Sequence, residues 1–261
     1  NLIEKVIRAF SLLDMLASSG CPFYFKGGSS LMLMFNEGTH RLSIDIDIMC
    51  PPGTDIEKYL SEYANNGFIS YQLIERKQAG KQVPKEHSKF FYKVAFNEDL
   101  NRNSFILLDV LYENCHYERI ERVAIAHDLI ESIGEQAYVN IPSIGDILGD
   151  KLTAFAPETT GIPYYKGENL STLEIIKQLY DIGRLFDRVT NLDITRNAFT
   201  KIAPIELAYR GLDTNDTKSI IEDIRNTSLN ITTRGMVQKN TAGELLKPEG
   251  GYYWKYGGPY V

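Results

Sequence analysis

The residues best suited to chemistry are Asp45 and Asp47, two apart in Arg41-Leu42-Ser43-Ile44-Asp45-Ile46-Asp47-Ile48-Met49. Strict alternation predicts a β-strand over this run, stopped by Pro51-Pro52. Residues i and i+2 of a strand project from one face, so both carboxylates share a side while Ile44, Ile46 and Ile48 turn to a core. Like charges so placed repel, and burial deepens the penalty. A divalent cation removes it, and two carboxylates are a usual protein share of a magnesium shell that phosphates and waters complete. The plainer alternative is an exposed acidic strand face. Asp109 interrupts a third apolar run, Phe105-Ile106-Leu107-Leu108-Asp109-Val110-Leu111-Tyr112. A carboxylate buried alone there is unfavourable, and either a metal shared with Asp45 and Asp47 or a salt bridge would relieve it. Upstream lies Gly27-Gly28-Ser29-Ser30, between the apolar run Cys21 to Phe25 and a helical stretch, Leu31 to Phe35. Glycines there let the backbone approach phosphate oxygens, and a following helix N-terminus adds oriented N–H donors. The same residues also suit an ordinary turn or helix cap.

These side chains need a sheet to hold them, and the surrounding pattern supplies one. Residues 1–19 place Leu2, Val6, Ala9, Phe10, Leu13 and Leu16 on one helical face. Residues 55–66 read as a helix burying Ile56, Tyr59, Leu60 and Tyr63. Phe68 to Glu75 and Phe90 to Phe96 read as strands flanking a polar, lysine-rich connection. From about Ser143 helical patterns dominate, at 143–156, 171–187, 194–209 and 216–229, separated by Gly, Pro and Asn-rich turns. The expected organisation is an α/β domain over 1–142 and a helical domain over 143–261, with Pro142 marking the boundary. The tail from Gly250 to Val261 is rich in Gly and Tyr, to be docked by its aromatics or disordered.

Net charge is −6 over 261 residues, so no global basic field holds nucleic acid. A local groove would have to supply positive charge. The candidate is the cluster Lys77, Lys81, Lys85, Lys89 and Lys93, with His87 among them. Gly80 and Pro84 argue against a continuous helix, so a solvated loop is expected, with Lys93 on the following strand. The four histidines show no metal-ligand spacing and receive no role. Tyr164, Tyr165 and Lys166, in a Gly- and Pro-containing loop, could stack a base or pack on their own lobe. Three scattered cysteines suit a reduced cytoplasm, and charged residues through the first seventeen positions leave no membrane span or signal run.

The order of glycine-serine turn, Asp-x-Asp strand and later strand carboxylate resembles the polymerase-β-type nucleotidyltransferases. Gly27-Gly28-Ser29-Ser30-Leu31 with Arg41-Leu42-Ser43-Ile44-Asp45-Ile46-Asp47 is more closely similar to the AbiEii/AbiGii-type toxins of abortive-infection and type IV toxin–antitoxin systems. Gly149-Asp150-Lys151-Leu152-Thr153-Ala154 and Leu179-Tyr180-Asp181-Ile182 match two helical motifs of that family, so the resemblance spans roughly residues 23–187. One departure is Lys177-Gln178, where relatives usually carry Arg-Asp. The resemblance implies a polymerase-β-type α/β core with a small mixed sheet and an α-helical C-terminal lobe. It implies transfer of a nucleoside monophosphate from an NTP to RNA, most plausibly a tRNA end, by a toxin with an antitoxin partner. It implies Mg2+ (or Mn2+) on Asp45, Asp47 and Asp109, with Asp109 also helping to deprotonate the acceptor. Gly28, Ser29 and Ser30 would cradle the triphosphate, Arg41 would orient the carboxylates or lie on the surface, and Lys151 with Asp181 would serve from the helical lobe. Alternatives are a small-molecule (aminoglycoside-like) or protein-hydroxyl acceptor, and a non-catalytic nucleotide-binding protein.

Overall fold

The computed structural model describes residues 2–35, 41–74, 83–95, 103–130 and 134–233. The chain divides into two compact units, one of Asn1–Cys115 with Arg119–Pro142 and one of His116–Glu118 with Ser143–Val261.

The first unit opens with α1 (Leu2–Ser18), whose Val6, Ala9, Phe10, Leu13 and Leu16 are buried as their helical spacing predicts. A mixed five-stranded sheet follows, from β1 (Tyr24–Lys26), β2 (Ile46–Cys50), β3 (Ser70–Ile74), β4 (Lys85–Lys93) and β5 (Asn103–Tyr112), in the order β1-β2-β5-β4-β3. Among the described strands of this sheet only the β2–β5 pair is parallel. The short helix α2 (Gly27–Met34) leaves β1 without a break. One face of the sheet is core: Phe25, Ile46, Ile48, Ile106, Leu108, Val110, Phe90 and Tyr92 are all buried, and α1 packs against β5. The other face carries the polar positions of the same strands, as period-two alternation requires. A separate antiparallel pair, β6 (Ile120–Ala124) and β7 (Tyr138–Pro142), completes this unit.

Three expectations are corrected here. The Asp-x-Asp strand is shorter than its alternation: β2 starts at Ile46, and residues 41–45 are irregular. Pairing explains this, because the β5 ladder begins at Ile46 and the Asp45 carbonyl accepts a 2.5 Å hydrogen bond from Ser29 Oγ instead. Residues 55–66 form two single 3-10 turns, Ile56–Tyr59 and Ser61–Tyr63, which still bury Ile56 and Leu60. Residues 85–93 form a full strand rather than a loop. Cross-strand bonds to β5 on one side and β3 on the other override the weak β-propensity of lysine. Lys77, Lys81, His40 and the tail from Gly250 lie outside the described residues.

The second unit is helical: α3 (Ile144–Ala154), α4 (Thr172–Phe186), α5 (Leu192–Arg210) and α6 (Thr217–Thr232), with a two-residue ladder between β8 (Tyr165–Lys166) and β9 (Asn169–Leu170). Ser143 caps α3 by accepting from the Asp146 N–H, and its hydroxyl donates to Asp146 Oδ2 at 2.6 Å. Gly145 and Gly149, one turn apart, set the α3–α5 contact; a Cβ on Gly149 would come within 2.7 Å of the Thr195 carbonyl oxygen. Ala156, Ala203, Leu207 and Ile220 form a core cluster with Phe199 and Ile224 against it. Asp223 accepts from the Glu158 and Thr159 N–H groups at 2.9 Å each, which ties α6 to the turn after α3.

Candidate active site

Sheet register decides which side chains meet. Lys26 on β1 pairs with Asp47 on β2, Asp47 pairs with Asp109 on β5, and Asp109 pairs with His87 on β4. Directly paired residues project from the same face, so one row crosses the sheet as cation, carboxylate, carboxylate, imidazole. Asp47 and Asp109 are therefore cross-strand neighbours on adjacent parallel strands, whose backbones run about 4.8 Å apart. Asp45 stands exposed just ahead of β2. Burial, then the charges of Asp109 and Asp45, push the Asp47 carboxyl up to about 6, against the opposing pull of Lys26 and Lys85.

The glycine turn touches this row directly. Gly27 has φ +76°, and a Cβ there would overlap the Asp47 carboxylate. Only glycine permits both that backbone and that approach. Gly28 sits as tightly against the Arg41 guanidinium and the Ser43 hydroxyl, so Arg41 lies at the start of α2. Lys26, at the N-cap of α2, makes no side-chain capping hydrogen bond, so the helix start offers the free amides common to helix N-termini. Ser29 and Ser30 are fully buried, and their hydroxyls bond the Asp45 and Gly27 carbonyls. Their side chains thus fix the turn, and what the turn presents outward is backbone.

Spacing assigns His87 no role, yet its Nδ1 lies 2.6 Å from Asp109 Oδ1, with the imidazole 6% exposed and Asp109 32% exposed. Only the β4–β5 register brings them together, and nothing local in the sequence signals it.

Oxygen donors alone suit a hard cation such as Mg2+. The fit rests on two partly accessible carboxylates on one face, one of them with a raised proton affinity that a cation would relieve. Among the described residues no three His, Cys, Asp or Glu side chains converge into a finished ion cage.

In the second unit Lys151 and Asp181 are brought together. Lys151 Nζ lies 2.8 Å from Asp181 Oδ2 and donates to Gln178 Oε1 at 3.0 Å. Both charged side chains are buried, at 8% and 4% exposure, which excludes a solvated lysine. Gln178, the departure noted above, is thus a direct partner of Lys151. Asp150 accepts from the Tyr117 hydroxyl at 2.9 Å.

Residues 11–247 match the sequence model of the AbiEii family, described as nucleotidyl transferase AbiEii toxin of type IV toxin–antitoxin systems. The chain belongs to this family. It is accordingly a nucleotidyltransferase of the toxin type, and its mixed α/β sheet with accompanying helices is that fold class. Solved structures similar to it include JHP933 from Helicobacter pylori, at 15% identity over 96% of this chain and 93% of that one, TM-score 0.42. A candidate nucleotidyltransferase from H. pylori is 18% identical over 94% of this chain and 88% of its own, also at 0.42. No curated protein matches at a significant level. No helix among the described residues is long and apolar enough to cross a membrane.

Proposed function

We propose that this AbiEii-family chain transfers a nucleoside monophosphate from an NTP to the terminal hydroxyl of an RNA, with tRNA as the favoured acceptor, in the cytoplasm and under control of an antitoxin. The observation that carries the reading is the cross-strand pairing of Asp47 with Asp109 against the uncapped start of α2. Asp45, Asp47 and Asp109 would hold Mg2+ or Mn2+, which neutralises the triphosphate charge and supports in-line displacement when bound. Backbone amides at Gly28 and Ser29, at the start of α2, cradle phosphate oxygens. Arg41, packed on Gly28, adds positive charge there. The acceptor oxygen attacks the α-phosphorus, the bond to the bridging oxygen breaks, and pyrophosphate leaves. The hydroxyl proton passes to Asp109, which His87 holds in place. Lys151, anchored by Asp181 and Gln178, is proposed to act on the nucleotide phosphates.

The test incubates protein, Mg2+ and each α-labelled NTP with total bacterial RNA, beside an Asp47→Ala control. Label on tRNA-sized RNA that the control lacks is the expected result. Its absence with every nucleotide would overturn the RNA reading.

A further inference from the structure

The carboxylate face of the sheet continues past Asp109 into a pattern that the reaction chemistry does not use. Along β5 the next residues on that face are Leu107 and Phe105, paired with Lys89 and Phe91 of β4. Lys93 follows at the Asn103 pair, and Lys85 precedes His87. Lys85 and Lys93 are exposed, while Lys89, Phe91, Phe105 and Leu107 are partly so. Lys89 Nζ lies 4.6 Å from the Phe105 ring centroid, and Phe91 meets Phe105 edge to face at 6.0 Å. Cations and rings thus alternate over a lane running about 14 Å from Asp109 to Phe105, at roughly 3.4 Å per residue.

We propose that this face of β4 and β5 binds the single-stranded end of the acceptor RNA, with phosphates at Lys89 and Lys93 and bases against Phe91 and Phe105, so that its terminal hydroxyl meets Asp109. The inference rests on the RNA-acceptor reading above and extends it to a surface. Charge complementarity supports the occupant: a lysine row on a chain of net charge −6 is a local exception, and a polyanion is what it attracts. The rings support a single strand, because base faces are open for stacking there and closed in a duplex. Two strands with aromatics and lysines on one partly exposed face offer stacking with backbone neutralisation, which is sequence-tolerant recognition. The lysines at 85, 89 and 93, in steps of four, work because the segment is a strand, where such steps keep one face.

The test measures binding of a short fluorescent single-stranded RNA, and of its blunt duplex, to the full chain across a salt series. Lys89→Gln/Lys93→Gln should bind the single strand about tenfold more weakly at low salt, and its log–log salt slope should fall by about 1.4, near 0.7 per lost phosphate contact. Phe105→Leu should weaken binding about tenfold with the slope unchanged, since stacking releases no counterion. Thermal unfolding of each variant, and the shift given by Mg2+ with NTP, should match the parent. Equal affinity and slope for parent and double variant would sink the lane, as would duplex bound as tightly as single strand. The two readings fail separately. An unchanged KM for RNA in the double variant, with transfer intact, removes the lane and leaves the RNA acceptor. Lane-dependent binding without transfer in the parent leaves the surface and removes the reaction.

Discussion

Asp47 concentrates the electrostatics of the candidate site at the level of single residues. Its carboxyl is held near 6 by burial and by Asp109 and Asp45, above its ordinary 3.8, so the folded protein binds the proton more tightly than the unfolded chain. The resulting penalty is absent below about pH 3.8, grows through the window up to about 6 and is constant above it. Metal-free Asp47→Asn should therefore be more stable than the parent at pH 7.5, by about 1–2 kcal/mol for a partly screened group, with the gap closing by pH 4. Equal unfolding midpoints at both pH values would refute this account. The same variant should lose nucleotidyl transfer. Gly27→Ala should also inactivate, because its φ of +76° is strained for alanine and its Cβ would displace the Asp47 carboxylate. His87→Ala should weaken Mn2+ binding about 10- to 100-fold, while His87→Asn, whose amide can replace the Nδ1 donor, should restore much of it. Titration followed by Mn2+ resonance reads this independently of turnover, and equal affinities for all three proteins would deny His87 any positioning role.

Elements explain why each charged group is where it is. Strand β4 delivers His87 to Asp109 only because β4 and β5 pair in one register; a slip of one residue would turn every lysine of β4 to the core. Helices α3 and α4 bury Lys151 against Asp181, a pair with little water to screen it. Removing one partner leaves the other charge buried, so Asp181→Ala should lower stability by about 3–5 kcal/mol in urea unfolding. Lys151→Met with Asp181→Leu should lose far less, and equal losses would show that the pair is not mutually compensating. Between α3 and α5, Gly149→Leu should disrupt the helix contact, since even a Cβ would press on the Thr195 carbonyl.

For the molecule as a whole, function and folding meet in ligand linkage. A ligand bound only by the folded form stabilises it by RT ln(1 + [L]/Kd), about 2.7 kcal/mol at a hundredfold excess over Kd. Mg2+ with the preferred NTP should raise the unfolding midpoint accordingly, EDTA should remove the shift, and Asp45→Ala should show little of it. A shift that survives EDTA would remove the metal from nucleotide binding. With a net charge of −6 the chain has no general attraction for RNA, so any RNA affinity must come from a local surface and fall steeply with salt.

Family and fold class were legible in the chain itself, because their signals are local. The alternation from Ile46 onward, the glycines that let the chain approach Asp47 and the helical periods after residue 143 each depend on near neighbours. The end of β2 at Ile46 was not legible, since a strand stops where its partners stop. Nor was the contact of His87 with Asp109, nor the turning of Ser29 and Ser30 inward, nor the burial of Lys151 against Asp181 and Gln178. Each is set by the register of one strand on another or the packing of one helix on another. Those choices are made between residues far apart in sequence, where composition and spacing carry no trace of the partner.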